Sequence, residues 1–165
     1  MLTGRLSLVE FLIEERKAHS GASGNFNGLI LTGGRVPSMF DFGGGLRVDP
    51  GVTVTVSDSV IRGNHSVGIG GGVVSAGALS LIRTEVSGNS ADGAGGGVLG
   101  QIGGTVSLID TTVSGNTAGS GGGGLTLDGD ATLTNVTVAN NSANFGGGIL
   151  SSGVLTATHT TISGN

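Results

Sequence analysis

A line of this chain is written more than once. "ALSLIRTEVSGN" at residues 78–89 returns as "TVSLIDTTVSGN" at 105–116, and the closing asparagine recurs as Asn64, Asn89, Asn116, Asn141 and Asn165, in steps of 25, 27, 25 and 24 residues. Glycine triplets keep the same beat and end at Gly45, Gly72, Gly97, Gly124 and Gly148. Self-similarity at such a period marks a solenoid, in which each repeat buries its apolar side only against its neighbours.

Aligned on the asparagines, the copies form columns. Ten residues upstream stand Val54, Leu79, Val106, Ala131 and Leu155, and eight upstream Val56, Leu81, Leu108, Leu133 and Ala157, all apolar. Between them lie Thr55, Ser80, Ser107, Thr132 and Thr156, all hydroxyl residues. Alternation with period two is the signature of a strand with one buried face. Ile61, Val86, Val113, Val138 and Ile162, three upstream, define a second strand, and Leu46, Val73, Val98, Leu125 and Ile149, just after each triplet, a third.

The 36 glycines fit this reading as corners. A collagen helix would need glycine at every third position, and "GGGVVSAGALSLIRTE" breaks that at once. Runs such as "VTVTV" carry too much strand preference for a disordered linker. Three short strands per turn predict an all-β fold, a three-sided parallel β-helix. A left-handed hexapeptide helix needs an apolar residue at every sixth position, and its absence points to the right-handed form. Superimposed coils would stack the five asparagines into one ladder at an inward corner, with the preceding residue (Gly63, Gly88, Gly115, Asn140, Gly164) at positive φ.

Ahead of the repeats, "LSLVEFLIEERKAHS" pairs Ser7 with Glu10 as a capping box and sets Leu6, Val9, Leu12 and Ile13 at helical spacing. Residues 1–20 are therefore expected to form a short amphipathic capping helix, and residues 21–165 the repeat domain. Gly34 occupies the asparagine position of an earlier coil, and the stretch Arg35 to Phe42 is the one clear insertion. The chain stops within a coil at Asn165, and "MLTGRLSLVEFLIEERKA" places charges after its apolar run, unlike a signal peptide. The first feature suggests a piece of something longer, and the second implies that, if the protein is exported, Met1 is not its true beginning.

The units "VSGNSADGAGGGV", "VSGNTAGSGGGGL" and "VANNSANFGGGIL" resemble the repeats of large bacterial surface proteins with right-handed, pectate-lyase-like parallel β-helices. These include the chlamydial polymorphic outer membrane proteins, whose repeats pair GGA[ILV] with FxxN. The counterparts in this chain are Gly-Gly-Gly followed by Val, Leu or Ile, and Val86-Ser87-Gly88-Asn89 with its copies at Val113 and Ile162. The resemblance runs from about Asn25 to Asn165 and implies export to the bacterial surface or beyond it, as in the passenger of an autotransporter.

Composition narrows the partners. A net charge of −4 with 7 Lys+Arg, and Phe as the only aromatic type, leaves nothing to hold nucleic acid. No cysteine is present for a disulfide or thiolate site, and no apolar run approaches the roughly 18 residues of a membrane span.

One column invites a catalytic reading. Six residues before the asparagines stand Asp58, Arg83, Asp110, Asn135 and His159, and an arginine between two aspartates is what a polysaccharide lyase or hydrolase fragment of this fold would use. Alternating signs at one-coil spacing are also how a solenoid avoids stacking like charges, and we expect structural ion pairs here. "LDGD" at 127–130 reads as an Asp-Gly turn rather than a calcium loop. His19 and His65 lack partners at metal-ligand spacing and are assigned to the surface. The expected function is a non-enzymatic, monomeric scaffold without cofactor. It would bind an extracellular or host protein or polysaccharide along its strand faces or the 35–42 loop, where Phe40 and Phe42 cluster.

Overall fold

The computed structural model describes residues 23–165, and all the regular structure within them is strand. The expected capping helix lies outside the described residues. The strands stack as a parallel β-solenoid of about five turns. One coil shows the plan. Ala78–Ile82 lies in a first sheet (A), Glu85–Ser87 in a second (B), Ser90–Ala91 in a third (C) and Val98–Gly100 in a fourth (D). Sheets A and B each contain six strands, C and D five.

The registers reproduce the sequence columns residue for residue. Leu79 pairs with Val106 and Leu81 with Leu108 in sheet A, Val86 with Val113 in sheet B, and Val98 with Leu125 in sheet D. Strand alternation turns these residues inward, and Leu81, Leu108, Val86, Val113, Val98 and Leu125 are fully buried. Each buried Leu or Val contributes about 1.5–3 kcal/mol by leaving water. Stacking joins them into one continuous core.

Each coil holds one strand more than the three that the columns define. The fourth follows the asparagine and is short, two residues in His65–Ser66 and Ser90–Ala91. Its inward file is Val36, Ser66, Ala91, Ala118 and Ala143. Small residues there let sheet C approach the core closely. Ser66 is the exception, since its Oγ is buried with no hydrogen-bond partner among the described residues. An orphaned hydroxyl is penalised, so Ser66→Ala should raise stability by about 1 kcal/mol, as a melting midpoint a few degrees higher. A lower midpoint would show that the hydroxyl is bonded.

The glycine triplets are required by coil spacing. Gly95 opens its triplet at φ 71°, the left-handed region that favours glycine. A Cβ on Gly97 would stand 2.5 Å from Gly124 O and 3.0 Å from Asn116 Nδ2. Only a hydrogen fits between the two coils there.

The asparagines meet at the corner between sheets B and C. Asn89 Nδ2 donates to Asn116 Oδ1 at 3.0 Å and Asn116 Nδ2 to Asn141 Oδ1 at 3.0 Å, with Asn64 and Asn165 continuing the row at 2.9 and 2.8 Å. The backbone N–H groups of Asn64, Asn89, Asn116 and Asn141 also donate to the next coil's Oδ1, as Asn89 N does to Asn116 at 2.9 Å. The second amide hydrogen reaches back to a strand carbonyl, Asn116 Nδ2 to Val86 O at 3.0 Å. Every polar atom of the Asn116 amide is thus used within a buried corner. The residues before the asparagines sit at φ 62° (Gly63), 59° (Gly88), 62° (Gly115), 56° (Asn140) and 64° (Gly164).

Candidate functional site

The column of charged residues turns the chain from sheet A to sheet B. Asp58, Arg83, Asp110, Asn135 and His159 adopt φ of 49°, 47°, 51°, 54° and 50°. Asp, Asn and His tolerate this left-handed conformation better than other non-glycine residues, whereas Arg does not share the preference. Gly28 holds the equivalent place in the first coil at φ 66°. The column is therefore a backbone corner before it is a charge array.

Its side chains bind one another along the solenoid axis. Arg83 Nε donates to Asp58 Oδ1 at 2.7 Å and Nη2 to Oδ2 at 2.8 Å, a bidentate pair. Asn27 Nδ2 adds a donor to Asp58 Oδ2 at 2.8 Å. Asp110 Oδ1 accepts from Asn135 Nδ2 at 2.6 Å. The three residues singled out from the sequence, Asp58, Arg83 and Asp110, thus stand in file rather than converging on a shared point.

The hydrogen bonds from Arg83 hold the Asp58 carboxyl below its ordinary value of 3.8, against the opposing effect of desolvation. Asp58, and more weakly Asp110, hold the guanidinium above its own. A carboxylate with a lowered folded-state pKa stabilises the fold above the unfolded value, and that contribution is lost as pH falls through the folded one. Replacing Arg83 with Gln should therefore lower the melting midpoint slightly near neutral pH, and the difference should close well below pH 3.8. The pair is exposed, with side chains 56% and 42% accessible, so the effect is small. A gap that persists unchanged in acid would show that the pair is not its source.

The two phenylalanines of the insertion part company. Phe40 is 81% exposed beside Met39 at 63%. Phe42 is half-buried, with the Arg47 guanidinium 5.9 Å from its ring centroid and Arg47 Nε held by Asp49 Oδ1 at 2.7 Å. The apolar tip offered to solvent is therefore Met39 and Phe40, with Phe42 as its base.

Two features lie outside the sequence-derived set. His65, assigned to the surface, is half-buried on sheet C, with Nδ1 3.0 Å from Ser90 Oγ and Nε2 3.9 Å from Asp92 Oδ1. No spacing rule reveals this, because the partners come from the next coil. A second polar file runs inside the A–B corner. Thr84 Oγ1 donates to Ile82 O at 3.0 Å and Thr111 Oγ1 to Ile109 O at 2.9 Å, with Ser59 Oγ bonded to Ser57 O at 2.6 Å. Its sequence signal is a hydroxyl residue directly after each charged corner residue, broken only by buried Val136. "LDGD" forms a corner in which Asp128 Oδ1 accepts from Ser152 Oγ at 3.0 Å and Asp130 Oδ1 from Val154 N at 3.2 Å. No cluster of three or more His, Asp or Glu at metal-binding geometry occurs among the described residues. Nor does any helix among them have the length and apolarity to cross a membrane.

The fold defines a class, the parallel β-solenoids. Within it no family model, curated protein or solved structure matches the chain.

Proposed function

We propose that the chain is a non-enzymatic, exported β-solenoid scaffold, displayed at a bacterial surface or outside the cell, that presents a strand face or the 35–42 loop to a protein or polysaccharide partner. The observation that carries this reading is the bidentate Arg83–Asp58 pair. A lyase acting on acidic sugars needs its arginine free to meet a carboxylate of the substrate, and here that carboxylate is supplied by the protein itself. Asp110 is likewise occupied by Asn135. The repeat resemblance supports the surface setting, and the Met39–Phe40 tip supports the loop as a contact point, because an exposed aromatic on an insertion is a frequent anchor for a partner.

Incubation of the purified chain with pectate and calcium, followed by absorbance of unsaturated product, tests the reading. No product above the buffer control is expected. Turnover that Arg83→Gln abolishes would replace the scaffold with a polysaccharide lyase.

A further inference from the structure

Sheet C carries an arrangement that building the sheet does not require. His65 and Ser90 open adjacent strands and are register partners. Strand alternation turns both outward, sends Ala91 inward and brings Asp92 out again. The imidazole thus lies between a hydroxyl and a carboxylate, with Nδ1 3.0 Å from Ser90 Oγ and Nε2 3.9 Å from Asp92 Oδ1. A proton on Nε2 faces the carboxylate, which leaves the Nδ1 lone pair to accept from the Ser90 hydroxyl. Hydroxyl, base and orienting acid in that order are the parts of an activated nucleophile. The contact to Asp92 is longer than a hydrogen bond, and contacts of this kind often tighten only when the reacting partner is bound.

Ser90 is the one hydroxyl among the described residues that meets an imidazole. Thr117 and Ser142 continue its file along sheet C, and no histidine reaches them. The hydroxyls of Ser59, Thr84 and Thr111 donate to backbone carbonyls. A carbonyl acceptor cannot take the proton away, whereas an imidazole can take it and hand it on. Ser80 and Ser107 on sheet A are half-buried as Ser90 is, yet their hydroxyls have no partner among the described residues. The difference between Ser90 and these two serines is therefore the neighbouring base, not exposure.

What surrounds the serine limits the chemistry. Acyl-transfer enzymes stabilise the oxyanion with free backbone N–H donors, and here the nearby donors are committed. Ser90 N bonds Asn64 O at 2.9 Å, Asp92 N bonds Ser66 O at 3.0 Å and Gly93 N bonds Gly68 O at 2.8 Å. Loss of one oxyanion donor costs about 10²–10³ in rate, so amides and simple esters stay out of reach. An acyl group on a good leaving group, a thioester or an aryl ester, needs less help. We propose that Ser90 is an acyl-acceptor site, with His65 as its general base and Asp92 as a positioning residue. Ser90 Oγ attacks the carbonyl carbon of the donor, the Oγ–C bond forms and the bond from that carbon to the leaving group breaks. The hydroxyl proton passes to His65 Nδ1 and then to the departing group, which leaves as a thiol or a phenol. The same shortage of oxyanion donors slows hydrolysis of the product, so the acyl group stays on Ser90 as an ester. The inference goes beyond the scaffold reading without opposing it, because one group per chain is a modification and not turnover.

The test is incubation of the full chain with p-nitrophenyl acetate, followed by peptide mapping of the ester by mass spectrometry. Acetyl should accumulate at Ser90 about 100-fold faster than at Ser80 or Ser107, the lower end of what a positioned general base contributes. His65→Gln should bring Ser90 down to the rate of those two serines. Asp92→Asn should slow it several-fold and Asp92→Glu should restore it, a rescue that a merely structural carboxylate would not give. Matched melting curves confirm that the variants are folded, and the exposed Asp92 decides the matter if His65→Gln does not fold. Equal acetylation of the three serines, a rate at Ser90 unchanged by His65→Gln or Asp92→Asn, or release of nitrophenol with no ester at Ser90 overturns the proposal. Continuous release of many equivalents per chain would contradict both this proposal and the non-enzymatic reading, whereas pectate turnover contradicts that reading alone.

Discussion

Asn116→Ala should lower the melting midpoint by on the order of 10 °C. Two buried donors, Asn89 N and Asn89 Nδ2, both end on Asn116 Oδ1 at 2.9 and 3.0 Å. Removing that oxygen orphans both at once. A buried polar group left without a partner is penalised by about 1–3 kcal/mol, so the pair accounts for roughly 2–6 kcal/mol, and about 2–4 °C accompany each kcal/mol in a domain of this size. Val86 O loses its donor as well. Because coils interact only with neighbours, the damage should be concentrated in the coils on either side. Hydrogen exchange will show it as faster exchange at the Asn89 amide, with the outermost coils less affected. A shift within a degree of the parent would mean that the amides are solvated and the ladder contributes nothing.

Leu108→Ala should be nearly as severe. Leu108 is fully buried, stacked between Leu81 and Leu133 in one file of sheet A. Truncation to Ala opens a cavity at mid-height, where coils above and below fix the backbone and prevent collapse. Such changes cost about 2–5 kcal/mol, and the upper half of that range applies where the surroundings cannot relax. Thermal melting again measures it, and Leu155→Ala in the last coil provides the comparison. Leu155 is only partly buried, so its truncation should cost clearly less. Equal losses at the two sites would contradict a core that is sealed in the middle and open at its last coil.

The stacking was legible from sequence because a solenoid superimposes residues one period apart, so each column samples the same environment several times. Five apolar residues in register carry far more information than one. The fourth strand was not legible for the converse reason. In the first three coils it is two residues long and too short to alternate, and its inward file of Ala91, Ala118 and Ala143 looks in sequence like the small residues of a turn. The charged column was readable as alternating signs but not as a left-handed corner, because Arg83 occupies a conformation that its own preference disfavours. The bidentate bond to Asp58 supplies the compensation, and that bond exists only between coils. The Thr84–Thr111 file was hidden for a related reason. A buried hydroxyl is indistinguishable in sequence from an exposed one until its carbonyl acceptor is known, and Ile82 O and Ile109 O become acceptors only once the corner has formed.

The central claim, that residues about two dozen apart lie directly over one another, is open to a direct chemical measurement. The chain contains no cysteine, so a pair introduced at Ser80 and Ser107, partners in adjacent strands of sheet A, is the only thiol pair present. Neighbouring strands lie about 4.8 Å apart, within reach of a disulfide, which spans Cα separations of about 4.4–6.8 Å. Mild oxidation of Ser80→Cys/Ser107→Cys should therefore give a near-quantitative intramolecular disulfide, detected as a two-proton mass loss. A pair at Ser80 and Thr132, two strands apart, should remain reduced. Comparable cross-linking of both pairs, or of neither, would contradict the stacked register on which every role assigned to this chain depends.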